Sequence, residues 1–110
     1  MKLGSPYRTM WILVLYDLPT LTPEDKKEYL VFHKKLLEDG FVMLQYSVYA
    51  RCCPSQENAE VHYKRVEKAV PPDGQVRVLE LTGKQFGRMK IFEGPLRRKP
   101  EKEWSQLTLF

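Results

Sequence analysis

Asp17 closes the apolar run Trp11-Ile12-Leu13-Val14-Leu15-Tyr16 and is followed at once by Leu18-Pro19. A carboxylate set where a buried strand surfaces is held by the strand and still reaches solvent, a usual position for a metal ligand or catalytic group. One chain supplies one such residue, so chemistry there calls for a second chain. The other reactive side chains are less suggestive. His33 falls within a helical pattern with no acid or nucleophile at a recognisable spacing. Ser47 has no nucleophile motif around it and reads as a sheet hydroxyl. Cys52 and Cys53 are neighbours, so they form neither a disulfide framework nor a tetrahedral zinc site, and they read as two reduced thiols at a strand end.

The elements that must position Asp17 follow from periodicity. Residues 10–17 are apolar throughout and rich in β-branched and aromatic types, which predicts a strand buried on both faces. Thr22 caps a helix with Pro23, Glu24 and Asp25 in its first turn, and Tyr29, Leu30, Phe32, Leu36 and Leu37 recur along it at helical spacing. Gly40 stops that helix. Residues 41–50 predict a second strand, with Tyr46, Val48 and Ala50 on one face and Gln45, Ser47 and Tyr49 on the other. Ser55 caps a second helix carrying Ala59, Tyr63, Val66 and Val70 on one side, ended by Pro71-Pro72-Asp73-Gly74. Residues 75–81 predict a third strand and residues 88–92 a short fourth.

With both helices long enough to cover a sheet, the expected fold is α+β: a ferredoxin-like β-α-β-β-α-β sandwich, one antiparallel sheet with two helices on one face. The expected domain spans residues 10–95, after an extension over residues 1–9. Residues 96–110 form a tail whose basic stretch, Leu96-Arg97-Arg98-Lys99, leads to Trp104-Ser105-Gln106-Leu107-Thr108-Leu109-Phe110. That last segment alternates like a strand and is too apolar to be left in water, so it packs on its own sheet or pairs with a partner's edge.

The chain has 110 residues, enough for one core and too few for two. Its 43% hydrophobic and 29% charged residues exclude a disordered chain. No apolar run approaches the roughly 20 residues that cross a bilayer, and the first ten residues lack a secretory pattern, so no membrane association and a cytoplasmic location are expected. A net charge of +4, with Lys84, Arg88, Lys90, Arg97, Arg98 and Lys99 crowding the last third, favours a polyanionic partner.

Tyr16-Asp17-Leu18-Pro19, a helix ending Leu36-Leu37-Glu38-Asp39-Gly40, and then Gln45-Tyr46-Ser47-Val48-Tyr49 together resemble the family of CRISPR-associated protein two, the small subunit of the spacer-acquisition machinery. The segment Leu81-Thr82-Gly83-Lys84-Gln85-Phe86 is similar to the version found in type II systems. The resemblance implies a ferredoxin-like homodimer with its sheets face to face. It further implies binding of double-stranded DNA, bridging of the integrase subunit (CRISPR-associated protein one), and a metal-dependent nuclease activity toward DNA or single-stranded RNA. On the family pattern Asp17 is the magnesium (Mg2+) ligand, with Tyr16 and Ser47 in supporting positions. Where the family often has arginines early in the first helix and a basic residue in the second strand, this chain has Lys26 and Lys27, and Phe41 to Leu44 is apolar.

Magnesium takes six oxygens and tolerates several waters, so one carboxylate from each of two chains plus a phosphate suffices. Two carboxylates that close repel one another, which predicts cleavage rising with pH. The plainer alternative is that Asp17 hydrogen-bonds its own loop. For phosphate contacts the expected residues are Arg88, Lys90, Arg97, Arg98 and Lys99. Three readings stand: a duplex-binding scaffold, a magnesium-dependent endonuclease, and an unrelated ferredoxin-like module. The third is disfavoured because residues 84–92 lack the aromatic pattern by which RNA-recognition sheets stack bases.

Overall fold

An apolar eight-residue run can form the centre of a sheet only if both of its edges are paired. In the computed structural model, which describes residues 9–96, β1 (Met10–Asp17) meets this condition. The chain continues through α1 (Pro23–Glu38), β2 (Val42–Gln45), β3 (Val48–Cys53), α2 (Gln56–Ala69), β4 (Gln75–Thr82) and a short α3 (Gly83–Gly87). The sheet order is β2-β3-β1-β4 with every pairing antiparallel. Its architecture is therefore the α+β, ferredoxin-like β-α-β-β-α-β arrangement expected from the sequence, with α3 added.

The strands are distributed differently from the expectation. Residues 41–50 are not one strand: they hold β2, a two-residue turn at Tyr46 and Ser47, and the start of β3. Ser47 takes a φ of 64°, a left-handed conformation that costs a non-glycine residue about 1 kcal/mol. It is thus a turn residue, not a sheet hydroxyl. Residues 88–92 form no strand, and β4 is the run that begins at Gln75. The basic residues Arg97, Arg98 and Lys99, the segment from Trp104 to Phe110 and the first eight residues lie outside the described part.

Both long helices begin where their caps predict. The Thr22 side chain accepts from the Asp25 amide while Asp25 accepts from the Thr22 amide, a reciprocal capping box. Ser55 caps α2 through the Asn58 amide. α1 ends in a Schellman motif: Gly40 (φ 87°) and Phe41 donate their amides to the Leu37 and Leu36 carbonyls.

Strand alternation then sorts β1 into two faces. Ile12, Val14 and Tyr16 face the helices and form the core with Tyr29, Phe32, Leu36, Tyr49, Ala59 and Val66. Leu30, Leu37 and Val70, expected on the inner faces, stand at least 40% exposed, because each falls outside the arc its helix turns to the sheet. Trp11, Leu13 and Leu15 face the other way, beside Leu79 and Leu81 of β4 and Val48 and Ala50 of β3. Among the described residues that second face is covered only at its Met10 end, where Phe86 of α3 stacks on Trp11 with ring centroids 3.9 Å apart. So β1 is not sealed on both faces as expected. Leu13 is buried, Trp11 and Leu15 are half-buried, and Leu79 beside them is 51% exposed.

A buried polar clasp joins the helices. His62, turned inward from α2 at 4% exposure, meets Asp39 at 2.8 Å, and Arg65 meets the other Asp39 oxygen at 2.7 Å. Burial pushes the Asp39 carboxyl up, but hydrogen bonds from His62 and Arg65 outweigh it and hold the group below its ordinary range. A depressed carboxyl contributes stability that is complete above the unfolded value of about 3.9 and is lost as pH falls through the lower folded value. Because Arg65 is largely exposed, most of the contribution comes through His62.

Replacing Asp39 by Asn is expected to cost about 1–2 kcal/mol at neutral pH. In urea unfolding from pH 7 to pH 2 the wild-type advantage should hold to about pH 4 and shrink below it. An advantage undiminished at pH 2 would contradict this assignment.

Candidate functional site

Asp17 is fixed from both sides along the backbone. Its last rung on β4 is Gln75, and just before that rung Gly74 adopts a φ of 98°. A Cβ on Gly74 would lie 2.6 Å from Leu18 Cδ2 and 2.8 Å from the Asp17 carbonyl oxygen, so only glycine allows the turn to close on the strand end. Toward β3, the Tyr16 amide donates to the Ser47 carbonyl at 3.1 Å. The chain on either side is anchored as well, since Tyr16 and Leu18 are buried at 7% and 8% exposure.

Between those anchors the Asp17 side chain is exposed. No described residue hydrogen-bonds it or pairs with it, so the structure does not support the alternative in which Asp17 ties down its own loop. By alternation it belongs to the face of Leu13 and Leu15, at the margin of the helix-free surface. No group of three His, Cys, Asp or Glu side chains among the described residues could hold a metal ion. A hard, exposed carboxylate is nonetheless a fitting magnesium ligand, one that leaves most of the coordination to water, phosphate or another chain.

Tyr16 and Ser47 are both brought to this end of the sheet, in different capacities. Tyr16 points into the core, away from the side of Asp17. Burial first, then the neighbouring Tyr49 and Tyr29, push its hydroxyl far above the ordinary range, so it stays protonated and structural. Behind it, Tyr49 is pushed up to about 12 by burial, and its hydroxyl shares a 2.6 Å hydrogen bond with His33 Nδ1. Burial lowers the half-buried His33. Ser47 contributes its carbonyl to β1 and a strained turn to the site's edge.

The charges around Asp17 are uneven. Glu24, Asp25, Glu28 and Asp73 line a cavity of about 110 Å3 with Leu18 and Pro19. Lys26 and Lys27, in the opening turns of α1, are the cations that follow directly from the loop after Asp17. Arg88 and Lys90 are exposed but come after α3, which leaves β4 where Thr82 pairs with Met10. Eight strand residues separate that end from Asp17, about 23 Å. The expected phosphate-binding arginine and lysine are therefore not gathered with the expected metal ligand.

The vicinal cysteines occupy the same distant end. Successive strand residues point to opposite faces, so Cys53 is buried in the core while Cys52, opposite Trp11, is only partly covered. Burial raises both thiols, which keeps them protonated.

Sequence reading missed three features here. Tyr46 was placed mid-strand because the Tyr-Ser pair carries no glycine, asparagine or proline turn signal. The Asp39, His62 and Arg65 clasp joins residues too distant in sequence to show a spacing. α3 was legible in principle, since Thr82 and Gln85 form a capping box of the Thr-x-x-Gln type.

Changing Gly74 to Ala is expected to destabilise the fold by about 2 kcal/mol and to displace the Asp17 backbone. Thermal unfolding measures the first effect and the Asp17 amide shift in an NMR spectrum the second; an unmoved amide in a stable variant would contradict the close packing.

Known proteins agree with this geometry. Residues 10–89 match the family described as CRISPR associated protein Cas2. The chain is 54% identical over 101 residues to a protein of Parvibaculum lavamentivorans named CRISPR-associated endoribonuclease Cas2, covering 92% of this chain and 100% of the relative. It is 49% identical over 106 residues to the protein of the same name from Flavobacterium psychrophilum, covering 96% and 92%. Among solved structures, one described as a crystal structure of cas2 superimposes with a TM-score of 0.54 at 21% identity, over 83% of this chain and 95% of that one. At that identity the superposition speaks for the fold, and the sequence matches for the family: the chain belongs to the Cas2 family of CRISPR-associated proteins.

Proposed function

We propose that this chain is a CRISPR-associated endonuclease that works as a homodimer, cleaving RNA or DNA phosphodiesters at a magnesium site shared by the two Asp17 residues. The observation that carries the reading is the placement of Asp17 at the margin of an apolar, helix-free sheet face. That face exposes Leu79 and Val42 and has Leu13 and Leu15 at its centre. A sheet surface of this kind needs a cover, and a second copy packed face to face would supply one. The same packing would carry the two Asp17 side chains toward a common axis. The relatives' name, endoribonuclease, favours RNA as substrate.

In this mechanism Asp17 of each chain holds the ion through one carboxylate oxygen, leaving positions for phosphate oxygens and water. When bound, magnesium supplies positive charge at the scissile phosphate and favours deprotonation of the attacking water. Lys26 and Lys27 hold the flanking phosphates in place. Tyr16, Leu18 and Gly74 keep the strand end rigid, so Asp17 needs little reorganisation to bind.

A second reading is supported by the separation of charges. Arg88 and Lys90 stand about 23 Å from Asp17, a span suited to a duplex lying along the dimer. There the dimer would act as a scaffold for double-stranded DNA and bridge integrase subunits during spacer acquisition in antiviral defence, with Arg97, Arg98 and Lys99 extending the contact. The capped turn at Thr82 to Gln85 is the segment that favours a type II system. A cytoplasmic location would accompany either role; no helix among the described residues is long and apolar enough to cross a membrane.

Asp17→Asn is expected to reduce magnesium-stimulated cleavage at least about 100-fold, with duplex binding retained. Undiminished cleavage by the rigorously purified variant would place the chemistry elsewhere. Leu79→Lys, which sets a charge in the centre of the helix-free face, is expected to yield monomers by light scattering and to lose cleavage although Asp17 is intact. A monomer that still cleaves would refute the shared site.

A further inference from the structure

We propose that Tyr46 is a base-stacking platform that seats one unpaired nucleotide of the substrate beside Asp17. This rests on the reading of Asp17 as the cleavage centre and adds how a single strand is held there.

The turn places the residue. β3 pairs with β1 up to Val48 opposite Leu15, and the Tyr16 amide bonds the Ser47 carbonyl. One further step along the two strands sets Tyr46 alongside Asp17. A two-residue turn favours small polar residues and glycine, yet this one carries a tyrosine, and Ser47 next to it accepts a left-handed φ to complete the turn. Nothing in the packing requires an aromatic ring there: Tyr46 is 53% exposed, while Tyr16, Tyr29 and Tyr49 fill the core beneath it.

The ring is also held. Its hydroxyl is pushed up to about 12, by burial and then by the buried Tyr29 hydroxyl beside it, so one end of the side chain is pinned while a face is open to solvent. A half-exposed ring that is already ordered loses little freedom when a base stacks on it.

The charges favour approach from this side. On the β4 flank of Asp17 the carboxylates Glu24, Asp25, Glu28 and Asp73 repel a phosphate backbone. On the β3 flank the turn is neutral. A strand passing the turn can set a phosphate at Asp17 and a base on Tyr46. Bases within a duplex are already stacked on both sides, so the platform selects unpaired nucleotides.

The test uses the full-length protein in EDTA, which prevents cleavage, and anisotropy titration of two labelled ligands. One is a 12-nucleotide single-stranded RNA, the other a ribose-phosphate strand of equal length without bases. Wild type is expected to prefer the base-bearing strand by about 10-fold. Tyr46→Leu should lose that preference without weakening the abasic ligand, and Tyr46→Phe should keep it. Matching thermal unfolding of the variants excludes misfolding as the cause.

Equal affinity of wild type for both strands, or a preference that survives in Tyr46→Leu, overturns the proposal. So does a Tyr46→Phe variant as impaired as Tyr46→Leu, which would assign the effect to the hydroxyl. Asp17→Asn should keep the preference. Failure of the nuclease reading shows separately, as cleavage that persists in Asp17→Asn with the base preference intact.

Discussion

The two-sided pairing of β1 is the constraint from which the rest follows. Only a strand bonded on both edges can bury Ile12 and Val14 completely, and those residues are the floor on which Tyr29, Phe32 and Leu36 of α1 pack. Because β3 and β4 both run antiparallel to β1, their turns converge on the end where β1 stops. Ser47 reaches Tyr16 from one side and Gly74 closes on Asp17 from the other. An exposed carboxylate is thereby held by a backbone that has almost no freedom. Precision at Asp17 is a consequence of sheet pairing, not of hydrogen bonds to its own side chain.

Alternation adds a second consequence. With Ile12, Val14 and Tyr16 committed to the core, Asp17 falls on the face of Leu13 and Leu15. The helices cover one side of the sheet, and α3 covers only the Trp11 corner of the other. The apolar remainder and the lone ligand thus share one surface. Covering the first by self-association and completing the second with another carboxylate are the same event in the proposed dimer. The separation of Arg88 and Lys90 from Asp17 fits a protein whose grip on nucleic acid and whose cleavage centre occupy opposite ends.

Much of this was legible in the chain. β1 could be read to the residue because an apolar run followed by Asp-Leu-Pro has few other interpretations, and the caps at Thr22 and Ser55 fixed both helix starts. Asp17 could be singled out for the same reason. The hairpin within residues 41–50 could not, because Tyr46-Ser47 lacks turn chemistry and is bent by the pairing of its neighbours with β1, at the cost of a left-handed serine. The strand expected at residues 88–92 failed for a related reason: β4 already pairs along all eight residues of β1, and Gly83–Gly87 coils instead. His62 was invisible as a core residue because its burial depends on Asp39, which lies 23 positions away.

Metal stoichiometry tests the central claim, that the site is built from two chains. Manganese, used in place of magnesium for its paramagnetism, can be titrated into the wild-type protein and Asp17→Asn while free ion is followed by electron paramagnetic resonance. The account predicts one tightly held ion per two chains, lost in the variant. One ion per chain, or binding that does not depend on Asp17, would contradict it.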